Sequence, residues 1–246
     1  MHAGGPGRLP LVNLSWTDTW NDLLARASNV VGLDPGVLWP ALAILIVVLI
    51  WAPARRWGRT LVTIVHEAGH AAVGLMVGRR FLGFVVSRDL SGHAVTAGKP
   101  DGPGRVLTTW AGYPAPAALG AAVVLLALHG WASAVLVMGL VILAVLLVMS
   151  RSIRTAGLVL LVGLLTGALW WWGGAWRAGV ASGVGLALIV GAWDSLRDVA
   201  VSREPEQDHR TLARLTGTPA ALWLVTWFLV DAAATGAVVL VVRDLL

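Results

Sequence analysis

His66, Glu67 and His70 stand within five residues of one another. On a helix, positions four apart differ by about 40° in rotation and about 6 Å in rise. Both imidazoles then project from one face, close enough to share a metal ion. Glu67 falls one residue on, within reach of a water in that metal's open position. Two neutral His ligands and a Glu that takes a proton from the water form the H-E-x-x-H arrangement of zinc hydrolysis. The competing reading is a polar helix face that hydrogen-bonds its neighbours. Three ionisable groups in an apolar segment are costly to bury without a partner, which favours the metal.

The segment that carries them, LVTIVHEAGHAAVGLMVGR at 61–79, is apolar enough to lie in a bilayer. Its surroundings agree. Of 246 residues, 57% are hydrophobic and only 13% charged, and the mean hydropathy is +0.78. A soluble domain would carry about twice that share of charge. The expected fold is therefore an all-α polytopic membrane protein of about seven transmembrane helices, with a small β-hairpin insertion after the motif helix. The spans are expected near 38–54, 61–79, 106–128, 133–149, 155–172, 178–196 and 219–241. Many of the Trp residues fall near the ends of these spans, as an interfacial belt requires. Cysteine is absent, so a metal site here must use His and carboxylates. Basic residues in such a chain flank spans, and the net charge of +5 is no sign of nucleic acid binding.

Two units are expected: an amphipathic interfacial segment at 1–37 and a single membrane domain at 38–246. From Ser15 to Val31, Trp16, Trp20, Leu23, Leu24, Ala27 and Val31 recur at helical spacing, opposite Asp18, Asp22 and Arg26. Gly32 and Pro35 end that pattern. Such a helix either lies on the membrane surface or packs against the bundle. Within 81–95, β-favouring residues flank a turn signal at Asp89, Ser91 and Gly92, which predicts a short hairpin. His93 lies there and is left outside the ligand set.

HEAGHA, SGHAVTAGKP, GPGRVLTTWAGYPAP and LARLTGTP together resemble the bacterial, M50B-like branch of site-2-protease-like intramembrane zinc metallopeptidases. The resemblance runs from about residue 60 to 230. It implies an integral protein of the bacterial plasma membrane, with Zn2+ held by His66 and His70 and with Glu67 as general base. The implied substrate is the peptide bond of a transmembrane protein. The Asn-x-x-Pro…Leu-Asp-Gly segment that supplies the third ligand in better-characterised proteases is missing here.

Four aspartates are candidates for that ligand. Asp208 comes first, because relatives carry a Ser-Asp-Ala segment where this chain has Gln207, Asp208 and His209. An Asp before a short helix is also a good N-cap, which is its competing role. Asp194 and Asp198 are the alternatives, four apart at the end of the sixth expected span and so on one helix face. Asp231 lies deepest, within reach of Thr235. Two other function classes share these features: a catalytically silent scaffold of the same fold, and a transporter or metal-handling protein, for which a deep Asp231 would speak.

With seven spans, thirteen Lys and Arg residues fall on the N-terminal side and five on the other. Counting places the N-terminus in the cytoplasm. The Arg55, Arg56 and Arg59 cluster beside the motif pulls the opposite way.

Overall fold

The computed structural model describes residues 16–30, 38–86, 92–150 and 153–245. The Gly/Pro-rich start, the Gly32–Pro35 terminator and the Asp89–Ser91 turn lie outside the described residues, as does the side chain of His93. Ten α-helices and one hairpin follow in order among the described residues: α1 (Trp16–Ser28), α2 (Trp39–Ile50), α3 (Ala52–Met76), β1 (Arg80–Val86), β2 (Gly92–Ala97), α4 (Pro103–Trp110), α5 (Pro114–Leu126), α6 (Ala132–Val148), α7 (Ile153–Trp172), α8 (Trp176–Val201), α9 (Asp208–Thr216) and α10 (Ala220–Leu245), with a π-helical turn at Ala127–Trp131 between α5 and α6.

Four stretches among the described residues are long and apolar enough to cross a membrane: Pro114–Val148, Thr155–Trp172, Trp176–Val201 and Ala220–Leu245. The pair α2 and α3, bent by 102°, makes a fifth if taken as one span. The expected count of seven is not recovered. One reason is that neither 38–54 nor 61–79 forms a helix long and apolar enough by itself, only the bent pair together. Pro53 opens α3, where a missing N–H costs nothing, and the chain turns sharply at the extended Trp51. A second departure falls in the expected span 106–128, which breaks at Ala111–Tyr113 because Pro114 and Pro116 begin a new helix. The Pro114–Val148 stretch is divided at Gly130, between the expected spans 106–128 and 133–149, by a left-handed residue (φ 88°), a conformation that a residue with a Cβ resists.

Packing shows that this stretch reverses direction at Gly130. Going along α5, Ala117 and Gly120 meet Ile189 of α8, and Ala127 beyond them meets Ala181. Ala132 begins α6 in the same cluster as Ala181. By Leu146 the chain is back beside Ile64 of α3 and Leu158 of α7.

Helix α8 is the spine. Its Gly179, Ala181, Ser182, Gly183, Gly185 and Ala187 are buried against neighbouring helices. Lipid supplies no hydrophobic drive between apolar helices, so close approach of backbones decides which one is central. A Cβ on Gly120 would meet the Gly185 carbonyl oxygen at 2.5 Å, and one on Gly183 would meet Ile44 of α2 at 2.9 Å. Helix α7 presents Leu160, Leu161, Leu164 and Leu165 outward, as a lipid-facing helix does.

The hairpin is antiparallel, with Arg80 opposite Ala97 and Val86 opposite Gly92, and an irregularity between Phe81 and Gly83. Phe81 packs on Ile64, which ties the hairpin to the motif helix. Helix α1 joins the bundle near its C-terminal end. The Ser133 hydroxyl donates to the Arg26 carbonyl at 2.5 Å, and the Arg26 guanidinium lies 4.8 Å over Trp171. Trp16 is 91% exposed, and Trp20 and Leu24 on the same apolar face are exposed as well.

Candidate metal centre

The break at Ala111–Tyr113 matters because it brings non-helical backbone to the middle of α3. Gly69 of α3 approaches it so closely that a Cβ there would stand 2.6 Å from the Ala115 Cβ and 2.7 Å from the Ala111 carbonyl oxygen. Gly112 leaves the space in which the imidazoles sit. A Cβ at Gly112 would collide with the His70 Nε2 atom, and would lie 2.5 Å from the His70 Cε1 and 2.7 Å from the His66 Cε1. Irregular backbone at membrane depth is tolerated where protein buries it.

His66 and His70 face each other with Nε2 atoms 3.0 Å apart and rings edge-on. The other nitrogen of His70, Nδ1, donates to the Thr108 carbonyl at 2.7 Å. That bond fixes the tautomer with the Nε2 lone pair free for a ligand role, as second partners of metal-binding imidazoles do. Asp208, the first residue of α9, completes the group. Its Oδ2 is 3.5 Å from the His66 Nε2 and 3.3 Å from the His70 Nε2. Burial alone would raise the Asp208 carboxyl. The hydrogen bonds and charges of His66 and His70 outweigh it and hold the group well below the usual carboxylate range.

These donors fit a divalent zinc. Two imidazole nitrogens and one carboxylate oxygen, all within 4.8 Å of one another, form a three-ligand set with room for a fourth position. Ligand atoms of a tetrahedral zinc lie about 3.3 Å apart, which the three separations bracket. Glu67 is half-buried on the same helix, one residue past His66.

The other aspartates fall elsewhere. Asp198 pairs with Arg59 at 2.7 Å on the surface, and Asp194 is exposed. Asp231 is buried in α10 with its Oδ1 unpartnered, while its carbonyl accepts the Thr235 hydroxyl at 2.7 Å. The N-cap of α9 is Gln207 rather than Asp208, which leaves the Asp208 side chain for the imidazoles.

Sequence reasoning gave Thr108, Gly112, Tyr113 and Gln207 no part in the metal centre. The Tyr113 ring sits edge-on to His66 at 4.6 Å and stacks on Trp227 at 4.4 Å. Trp227 donates to the Trp110 carbonyl at 3.0 Å, and Trp110 to the Thr226 hydroxyl at 2.9 Å. The available signal was the Gly-Tyr-Pro run itself, a turn sequence inside an apolar stretch.

No curated protein and no solved structure matches the chain. A family model, described as Peptidase M50B-like, matches residues 39–238. That range contains every residue of the centre and all of the membrane-crossing stretches except the end of the last, which runs on to Leu245. The chain is an integral membrane protein that belongs to the peptidase M50B-like family.

Proposed function

We propose that this protein is a zinc-dependent intramembrane endopeptidase, which hydrolyses peptide bonds of transmembrane protein substrates in a bacterial plasma membrane. The observation that carries this reading is the meeting of His66, His70 and Asp208, brought from helices α3 and α9 to one point. Zn2+ bound there would supply Lewis acidity to the scissile carbonyl and to the attacking water. Glu67 accepts the proton that water gives up as its oxygen bonds to the carbonyl carbon. The same carboxyl returns the proton to the nitrogen as the C–N bond breaks. Thr108 keeps His70 in one tautomer, and Asp208 keeps negative charge beside the two imidazoles. A substrate helix must unwind locally to expose its peptide bond, since its backbone is otherwise internally satisfied. The β1–β2 hairpin, tied to α3 through Phe81, offers an edge on which an unwound strand could pair.

The test uses the full chain purified in detergent and returned to liposomes with a transmembrane peptide. Wild type should carry one zinc and cleave. His66→Ala should lose both zinc and cleavage, while Glu67→Gln should keep zinc and lose about 10²–10⁴-fold in rate. Wild-type cleavage by Glu67→Gln, or a wild type without stoichiometric zinc, would overturn the reading. A silent scaffold would bind membrane partners equally with either residue at position 67.

A further inference from the structure

Tyr113 touches both halves of the metal centre. Its ring meets His66 of α3 at 4.6 Å, and its hydroxyl donates to the Gln207 Oε1 at 3.1 Å. Gln207 directly precedes Asp208 and occupies the N-cap of α9, yet its side chain makes no capping bond. Its carbonyl accepts from the Arg210 and Thr211 N–H groups at 3.0 Å each, and its Nε2 donates to the Glu204 Oε2 at 3.2 Å. Gln is a poor N-cap, so helix propensity does not explain its position. The side chain instead ties the start of α9 to Tyr113. Trp227 stacks on the Tyr113 ring and is fully buried, so the ring has little freedom to move.

We propose that Tyr113 is a positioning residue that sets the distance between the His66–His70 pair and Asp208, acting on Asp208 through its hydrogen bond to Gln207. This rests on the metal reading above. The two His ligands are fixed by one helix, but Asp208 arrives from a nine-residue helix whose start must be held. With the hydroxyl in place, the α9 start is locked to the Ala111–Tyr113 break that cradles the imidazoles. Without it, Asp208 spends part of its time away from the pair, and zinc binds less tightly.

The measurement is zinc affinity of the full chain in detergent, by competition with a chelator of known affinity, beside the thermal midpoint of the zinc-free protein. Tyr113→Phe keeps the ring contacts with His66 and Trp227 and removes only the hydroxyl. It should weaken zinc binding by about ten- to a hundredfold, as loss of an outer partner does, with the zinc-free midpoint unmoved. Gln207→Leu should produce the same loss, and the double variant no more than the larger single one, since both break one bond. Thr226→Val removes a hydrogen bond from the same aromatic cluster and should leave zinc affinity unchanged. Wild-type affinity in Tyr113→Phe, or fully additive losses in the double variant, overturns the proposal while the metal reading stands. Should Tyr113→Phe fail to fold, wild-type affinity in Gln207→Leu overturns it equally. A wild type that binds no zinc removes both.

Discussion

Helix α3 receives two aspartates, seven residues apart along its length, and they differ in kind. At Arg59 it meets Asp198 in a 2.7 Å ion pair whose side chains are 68% and 55% exposed. At His66 and His70 it meets Asp208, whose side chain is 23% exposed, with imidazoles more buried still. The first is a surface pair between full charges, screened by water and salt. The second sets a carboxylate against two imidazoles, which carry charge only when protonated and otherwise present ring nitrogens. Such a group of acceptors is stable only if a proton or a metal ion lies among them. An acid near a motif becomes a ligand candidate by what its neighbours lack.

The contrast can be broken by substitution. Asp208→Ala should cost the most, removing stoichiometric zinc and all cleavage. Retention of both would equate Asp208 with Asp198. Gly112→Ala comes next. Its Cβ enters the space of the two imidazoles, and overpacking of about 1–3 kcal/mol should appear as zinc binding about 5- to 150-fold weaker in the same competition titration. Asp198→Asn should cost the least, below about 1 kcal/mol by thermal unfolding, and leave zinc content unchanged. A drop in zinc on Asp198→Asn would show that the Arg59 pair holds α3 in place for the centre.

Much of the centre was legible in the sequence, because H-E-x-x-H places both imidazoles by helix geometry alone. Apolar stretches announced the membrane class for the same local reason. The hairpin announced itself through its turn residues. What failed were features decided between elements. Local pattern did not separate Asp194, Asp198 and Asp208; the resemblance put Asp208 first, and the packing of α9 against α3 brings that residue to the imidazoles. The spans near 38–54 and 61–79 read as two crossings, since hydropathy does not record a 102° bend. That bend changes the charge count. Arg55, Arg56 and Arg59 now sit with Arg197, Arg203, Arg210 and Arg214, at the end where α8 finishes, because Arg59 binds Asp198 there. Helix α1, bound to the start of α6, lies at the opposite end. On this path positive-inside counting predicts the metal-centre end in the cytoplasm and α1 outside, the reverse of the seven-span orientation. Reporter fusions at Arg56 and Glu204 should therefore both read cytoplasmic, and opposite sides would restore the seven-span path.

Helix α2 has one more consequence. Its twelve residues rise about 18 Å, against about 30 Å for the hydrocarbon core of a bilayer. It runs beside the first half of α8, with Trp39 on Trp176 and Ile44 on Gly183, and stops while α8 continues to Val201. A bilayer meeting so short a wall thins locally, or lets Arg55 and Arg56 reach up to the headgroups. Either response lowers the water surface toward α3. The thickness of lipid around one short helix is thus expected to set how near water comes to the His66–His70–Asp208 group.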